Sequence, residues 1–468
     1  MLWGIPGAIA GALLAVRGNG WLLLSLGLAA VALGAFLLRR GRAVYALPLL
    51  LGLLLLRGAA SPHVIVTPGV YAVTGTVTDA PEHGRGKTVV TLSRVTLDGQ
   101  RVPGTLELTV SYDAAVAYGD ALTLRVRVAP DTRGAVRSLS TVLYAGEPVG
   151  EIVIRQGRAD PLYGLALRWR EKLGAAADKL FGADSGIAKG MLFGDRDDIH
   201  YLDFLAFRRS GLLHLLTVSG LHVGVVCGAA LELIRGRRKW LRFLLSALVL
   251  LLFCLLTGLS PSSLRAAIML LIARFSRLLD RQDDPISEIG CALTLLLLIN
   301  PSFLAASGFC LSFGAIWGLT CFTALRGQRE GLAGFLAGAV GVFLGMLPLL
   351  SITGGQISWV GPFISLLALP VAPLFLVPGW AAVLLYPLLP AVAKVVALLP
   401  QGVLYYLSAL AELVPVDGFV LPPANGAALA LWFAGLLFVS PYFLPNRKRP
   451  AYMGWGLLAA STLVWFLA

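Results

Sequence analysis

The sequence contains few charged residues. Of its 468 residues only 13% are charged, whereas 57% are hydrophobic and the mean hydropathy is +0.81. Soluble domains carry about 25% charged residues, so this composition excludes an ordinary soluble protein. We therefore predict a polytopic α-helical membrane protein.

The sequence also contains no motif typical of a metal site, a disulfide framework or a nucleotide-binding loop. The five cysteines all fall in apolar stretches, and none has metal-ligand spacing to another cysteine or to a histidine. The sequence contains no P-loop of the form G-x-x-x-x-G-K-[ST]. We expect no metal and no other cofactor, and any ATP-driven step must come from a partner protein.

Long apolar runs define the membrane parts, because a span needs about 20 residues and fewer when its ends snorkel. Three runs precede residue 57, and about ten follow residue 210, so we expect 11–13 spans. The first run has neither a charged start nor a small-residue cleavage site, which favours a permanent span. The predicted spans are 2–16, 20–38, 43–56, 211–234, 239–257, 261–279, 286–299, 303–325, 331–352, 359–377, 379–398, 426–444 and 451–467. A Pro-rich stretch at 362–400 makes a re-entrant segment there an alternative.

The region between the two groups of spans has a different pattern. Residues 58–160 contain short alternating runs separated by Gly, Asp and Pro, which predict about five strands in a small β-barrel domain. Residues 161–210 begin with apolar residues at helical spacing interleaved with Arg and Lys. This pattern predicts an amphipathic helix at the membrane interface, followed by a linker.

The distribution of charge predicts the orientation. Residues 1–57 contain five arginines and no acid, while 58–160 contain ten basic and ten acidic residues. Basic loops such as 235–239 and 446–449 all fall on one side when the spans alternate, and that side is cytoplasmic by the positive-inside rule. The amino terminus is then cytoplasmic, and the β domain and the carboxyl terminus are outside. A nucleic-acid partner would favour the same excess of positive charge.

Polar residues interrupt the first apolar stretch of the second block, "GLLHLLTVSGLHVG". On a continuous helix His214, Ser219 and His222 would form a polar patch beside Gly220, inside a span. Interhelical hydrogen bonds are one explanation of such a patch. A metal site lacks further ligands, and a Ser/His nucleophile pair lacks an evident orienting acid.

Two further stretches combine polar and small residues. In "TGLSPSSLRAAIM", Ser260 and Pro261 suit a helix start, and Arg265 falls one turn into the span, where it needs a carbonyl or anionic partner. In "SGFCLSFG", residues 307–314, small residues favour close helix packing. By spacing alone, these patterns indicate only that the second block encloses something polar.

The three stretches together resemble the ComEC family of competence DNA-uptake channels. The resemblance rests on "GLLHLLTVSGLHVG", "GLSPSSLRAAIM" and "GFCLSF", with "LFGDR" ahead of them, and it extends over most of the chain. The sequence departs from the pattern of many members at Ala306, Cys310 and Ser365. It also contains no His-x-His-x-Asp-His cluster, so it resembles a form without the metallo-β-lactamase-like domain.

The resemblance implies a channel of the cytoplasmic membrane that passes single-stranded DNA into the cell during natural transformation. It implies an OB-fold outside, no enzymatic activity, and contact with membrane lipid, a DNA receptor and a cytoplasmic ATPase. Residues expected to line or brace the DNA path are His214, Ser219, Gly220, His222, Ser262, Arg265, Phe309, Ser312 and Asp195. Candidate DNA contacts in the β domain are Arg125, Arg127, Arg133 and Arg137.

Two other functions fit the composition. A small-molecule or lipid transporter would contain paired broken helices at mid-membrane. An intramembrane hydrolase would need a nucleophile and a base in contact, and Ser219 would be the candidate nucleophile.

Overall fold

A computed structural model describes much of the chain from residue 69 to residue 467. The segments outside the description are 1–68, 79–81, 85–86, 103–104, 112–115, 131–141, 151, 157–160, 233–237, 279–290, 294, 297–306, 326–331, 353–356, 359, 415–417, 440–447 and 468. The three predicted N-terminal spans lie in this undescribed part. The described residues fall into two compact units: one holds those up to Gly174 with Leu251–Ser260 and those of 290–306, the other holds the rest.

The first unit contains a closed β-barrel, as the alternating pattern predicted. Strands β1, β3, β5, β7 and β6 pair in that order, and β6 returns to β1. All of these pairings are antiparallel except β5 with β7. The strands are β1 Gly69–Val77, β2 Glu82–Gly84, β3 Lys87–Leu97, β4 Gln100–Arg101, β5 Thr105–Ser111, β6 Ala121–Pro130, β7 Val142–Pro148 and β8 Val153–Arg155.

The barrel core follows from the two-residue period of its strands. In β6, Leu122, Leu124 and Val126 are buried, whereas Arg125 and Arg127 between and after them are exposed. The same alternation in β1, β3 and β5 fills the interior with Val and Leu side chains. Five strands closed in this way leave few free edges.

The rest of the described chain is mainly helical. The helices are α1 Pro161–Phe181, α2 Ser185–Phe193, α3 Tyr201–Arg209, α4 Gly220–Glu232, α5 Lys239–Leu256, α6 Pro261–Leu278, α7 Ser307–Leu325, α8 Leu332–Ile352, α9 Gly361–Ala368, α10 Ala372–Leu385, α11 Pro390–Glu412, α12 Gly426–Val439 and α13 Lys448–Leu467. Helix α1 lies where the amphipathic helix was predicted. The supposed linker after it contains α2, which is buried along nearly its whole length, and α3.

Several of the described helices are long and apolar enough to cross a membrane. Among the described residues these are α5, α8 and α11, with α9 and α10 as a possible fourth, broken span. Helices α4, α7, α12 and α13 are also apolar, but their apolar stretches are only 10–17 residues long. Exposed leucines along α5, including Leu244 at 60%, give that helix a surface suited to lipid.

The predicted continuous helix over 211–234 is wrong. Gly211 adopts a left-handed conformation, with φ of 76°, and a 3-10 turn follows over Leu212–Leu216. Thr217 and Ser219 are extended, and α4 begins only at Gly220. Within α4, Val223–Cys227 forms a π-helical turn, a feature frequent at functional sites. The "TVSG" stretch is therefore a break in the helix.

The Pro-rich region also differs from the two predicted spans 359–377 and 379–398. Helices α9 and α10 meet at a 52° bend across Leu369–Val371, and α11 runs on as one helix from Pro390 through Pro400 to Glu412. The bend agrees with the broken or re-entrant segment expected as the alternative.

Glycines set the packing of α7 against α8. A Cβ on Gly314 would lie 2.6 Å from the carbonyl oxygen of Gly345, and Gly318 and Gly341 meet in the same way. The small residues of α7 therefore serve close helix packing, one of the roles the sequence indicated for them.

Candidate functional site: a broken helix where three polar motifs meet

The break in the first motif is closed by a reciprocal pair of hydrogen bonds. The Ser219 side chain caps α4 at its amino end, and the Ser219 backbone N–H donates to Nδ1 of His222 over 3.2 Å. The Ser219 Oγ lies 2.9 Å from the same nitrogen. Because Nδ1 accepts the N–H bond, the neutral ring carries its proton on Nε2. The two residues thus end the extended stretch and start the helix together.

His222 is completely buried, which makes its ring an internal polar group. Its Nε2 forms no hydrogen bond with the described residues, although the backbone of Leu215 faces the ring. A buried polar atom without good hydrogen-bond geometry costs about 1–3 kcal/mol. The fold therefore keeps the Nε2–H donor of His222 buried at the break in spite of this cost.

Arg196 fixes the other side of the break. Its Nε donates to the carbonyl of Leu216 over 3.2 Å, and its Nη2 donates to Oγ1 of Thr217. Gly194, two residues before Arg196, is close to the break as well. A Cβ on Gly194 would lie 3.2 Å from the Val218 side chain. The fork of a guanidinium suits two acceptors that diverge from an unwound backbone. Sequence reasoning named Asp195 and missed its neighbour Arg196.

The second and third motifs meet at Arg265. This side chain is only 4% exposed, and its Nη2 donates to the carbonyl of Gly308 over 2.9 Å. Its guanidinium also lies 5.4 Å from the centre of the Phe309 ring, within the range of a cation–π contact. The carbonyl partner that the sequence required for a buried arginine is therefore Gly308. Helix α6 begins at Pro261, as predicted.

The first motif packs against the same helix and against the bent pair. Helix α6 contacts both Gly220–His222 and the π turn Val223–Cys227, and it also contacts α7. The 3-10 turn contacts α9, and the π turn contacts α10. A Cβ on Gly211 would lie 2.8 Å from the Cα of Gly361, so only glycine allows this approach. Two interrupted segments, 211–232 and 361–385, thus lie side by side.

The remaining predicted path residues occupy positions around this centre. His214 lies in the 3-10 turn, is exposed, and donates from Nδ1 to the carbonyl of Gly211 over 3.0 Å. Gly220 is exposed with open space beside its Cα. Asp195 accepts a hydrogen bond from the Asp197 N–H over 3.2 Å. Ser262 and Ser312 are half-buried near the starts of α6 and α7.

The candidate DNA contacts of the β domain are only partly described. Arg125 and Arg127 are exposed on one face of β6, as their spacing predicted. Arg127 pairs across the strands with the exposed Glu147 of β7. Arg133 and Arg137 lie outside the described residues.

An ion network around the buried Lys189, with two exposed aspartates, supports α2 beside the break. The ammonium of Lys189 lies 2.6 Å from a carboxylate oxygen of Asp178 and 2.7 Å from one of Asp198. Burial alone would lower the pKa of Lys189, but these two hydrogen bonds and charges raise it above its usual value. A raised lysine pKa stabilises the fold at neutral pH, and this contribution is lost as pH rises through the raised value. The sequence pattern gave no signal of this network.

No group of three or more His, Cys, Asp or Glu side chains able to hold a metal occurs among the residues that the structure describes. The polar centre is built instead from hydroxyl, imidazole and guanidinium groups and from backbone carbonyls. The hydroxyl, imidazole and guanidinium groups can donate hydrogen bonds to an anion, and the carbonyls can accept them.

Comparison with known proteins identifies the family. Residues 191–445 match the model of the family described as "Competence protein". The chain belongs to the competence protein family. Its matched region contains the break, Arg196, α6 and the Gly308 carbonyl, so every contact of the polar centre lies within the family's domain. The barrel precedes it.

Two curated relatives agree with this membership. The chain is 30% identical over 220 residues to "ComE operon protein 3" of Bacillus subtilis, covering 46% of this chain and 28% of that protein. It is 26% identical over 140 residues to "Recombination protein 2" of Haemophilus influenzae, covering 28% of this chain and 18% of that protein. The alignments thus span less than a third of either relative. No solved structure matches the chain.

Proposed function

We propose that this competence protein is the membrane channel that passes single-stranded DNA across the cytoplasmic membrane during natural transformation. The observation that carries the proposal is the meeting of three polar motifs at a broken helix. Membership of the competence family and the similarity to its two relatives support the same function.

The broken backbone supports a path rather than a purely structural core. At membrane depth, irregular backbone is tolerated where protein buries it or where it lines a water-filled cavity. Here two interrupted segments lie side by side, an arrangement also expected of a small-molecule or lipid transporter, and the exposed His214 and Gly220 flank the break. Binding of single-stranded DNA by the purified chain separates the two functions. Neutral imidazoles and hydroxyls offer hydrogen bonds to phosphates without the strong attraction of an arginine row, so a strand can slide past them.

The remaining parts of the proposal concern topology and partners. We propose 11–13 spans in the whole chain, with the amino terminus cytoplasmic and the barrel and the carboxyl terminus outside, as the basic loops indicate. The five-stranded barrel is proposed to be an OB-fold, an architecture that binds oligonucleotides. A DNA receptor and a cytoplasmic ATPase complete the proposed machinery, because the sequence contains no nucleotide-binding loop. The chain itself acts as a channel and not as an enzyme.

Uptake of labelled DNA by a transformable host tests the proposal. His214→Gln and His222→Gln should each lower uptake at least several-fold, while membrane levels of the protein stay normal. Binding of single-stranded and double-stranded DNA to the purified full chain, across a salt series, should favour the single strand. Normal uptake by the double variant at normal protein levels would overturn the role of the histidines. The same normal uptake after deletion of the whole gene would overturn the function.

A specific contact also favours a second candidate, an intramembrane hydrolase. The 2.9 Å separation of Ser219 Oγ and His222 Nδ1 suits a nucleophile and its base. Helix capping accounts for the same contact, and among the described residues Nδ1 of the ring bonds only Ser219 while Nε2 has no side-chain partner. Covalent labelling of Ser219 by a serine-directed probe, lost in Ser219→Ala, would favour the hydrolase. Absence of labelling in folded protein would favour the channel.

A further inference from the structure

A cluster of arginines marks the end of the α5–α6 hairpin that lies opposite the Gly258 turn. Arg242 lies one turn into α5, and Arg274 and Arg277 lie one turn apart at the end of α6. The Phe243 and Phe275 rings, with centres 5.8 Å apart, show that the two helix ends are adjacent. The charged groups near Arg274 in the described chain are Arg242, Arg277 and a single acid, Glu232.

The position of Arg274 distinguishes it from an ordinary basic loop. Ser263 and Ala267 are buried on α6, and Arg274 follows Ala267 by seven residues, so the three share one helix face. Phe275, by contrast, is 45% exposed. Arg274 is half-buried, and its Nε is buried without a hydrogen bond to the described residues. The positive-inside rule explains arginines that reach water at a helix end, and it does not explain an arginine on the packed face.

We propose that Arg242, Arg274 and Arg277 form a phosphate-binding station for the translocated strand, at the other end of α6 from Arg265. The inference rests on the proposed channel function. Nine residues separate Arg265 from Arg274, which corresponds to about 14 Å along the helix. The first motif packs against α6, so the break and the arginine cluster adjoin the same helix. Guanidinium groups bind phosphodiester oxygens through paired N–H donors, and among the described residues the charged neighbours of Arg274 are two further arginines and one carboxylate.

The number of phosphates that the cluster neutralises can be counted from salt dependence. For single strands, the logarithm of the binding constant falls with the logarithm of salt concentration by about 0.7 per neutralised phosphate. In the full chain, Arg274→Gln should make this slope shallower by about 0.7, and Arg242→Gln with Arg274→Gln by about 1.4. The matched control is Arg168→Gln with Arg208→Gln, which removes two exposed arginines from α1 and α3 and should leave the slope unchanged.

Lipid phosphate is the competing source of the same chemistry, so binding is measured in nanodiscs of phosphatidylcholine with and without phosphatidylglycerol. Equal slope changes in both lipids would support the station. Loss of bound phosphatidylglycerol in the double variant, with an unchanged DNA slope, would assign the cluster to lipid and overturn the proposal. An unchanged slope with a lower melting temperature would assign the cluster to pairing with the acids that follow α6 in the sequence, Asp280, Asp283 and Asp284, and would also overturn the proposal. If the unsubstituted chain bound no single strand, the channel function itself would fail.

Discussion

The barrel and the membrane block are stabilised in different ways. In the barrel, five paired strands and an interior of Val and Leu side chains repeat one simple pattern, so many equivalent contacts support each element. Around the break at 217–219, a few individual contacts have no substitute: the Ser219–His222 cap, the Arg196 fork, the Arg265–Gly308 bond and the Gly211–Gly361 approach. Regular structure tolerates substitution, whereas the broken helix depends on single residues.

Disruption of the close glycine packing between α7 and α8 should produce the largest effect. In Gly314→Leu the new side chain must displace the backbone of α8, because even a Cβ would lie 2.6 Å from the Gly345 carbonyl oxygen. Overpacking costs about 1–3 kcal/mol where side chains can adjust, and backbone cannot adjust as easily. We expect little folded protein to be recovered from membranes, as judged by its size-exclusion profile. Any folded protein that remains should have a lower melting temperature. Gly402→Leu, where a Cβ meets open space, is the control; equal losses in both variants would contradict the packing.

Loss of the buried arginine should come next. Arg265→Met keeps the apolar volume but removes a charged hydrogen bond and a cation–π contact, at a cost of about 2–3 kcal/mol. We expect a lower melting temperature and loss of DNA uptake. Arg208→Met, an exposed arginine on α3, should change neither quantity. A stable Arg265→Met variant would mean that the contact between the second and third motifs carries little energy.

Substitution of the residue that holds the break should have a local effect. Arg196→Lys keeps the charge but cannot bond the Leu216 carbonyl and the Thr217 hydroxyl with one rigid fork. We expect hydrogen exchange to rise at 217–222 and uptake to fall, while exchange in the barrel strands is unchanged. Exchange that rises equally in both regions would show that the break is not an independent element.

The smallest effect is expected on the outside of the barrel. Arg125→Gln with Arg127→Gln changes two exposed side chains on β6, and such substitutions usually alter stability by less than about 0.5 kcal/mol. The melting temperature should stay within error. A large loss would show that these arginines bond within the protein, and a loss of single-strand binding at unchanged stability would assign them to DNA.

The same contrast explains what could be predicted from the sequence. The two-residue period of β6 located its buried and exposed residues, and Ser260 and Pro261 located the start of α6, because both signals are local. The break at 217–219 was not predicted, since the largely apolar run from 211 to 234 has the length of a membrane span and its polar residues could share one face of a continuous helix. Besides the local Ser219–His222 cap, two long-range contacts hold the break: Arg196 bonds the Leu216 carbonyl, and Gly361 packs against Gly211. The sequence could indicate that Arg265 needs a carbonyl, but only the fold identifies Gly308.

The most direct test of the central claim is crosslinking to DNA arrested during uptake. A photoreactive side chain replaces Gly220, which is exposed beside the break and has open space at its Cβ, and in a matched variant it replaces Gly402 on α11. A long labelled strand, stalled by a bulky group at one end, is then illuminated in living cells. The account predicts crosslinks from position 220 and none from position 402. Equal crosslinking at both positions, or none at 220 during active uptake, would contradict a DNA path at the broken helix.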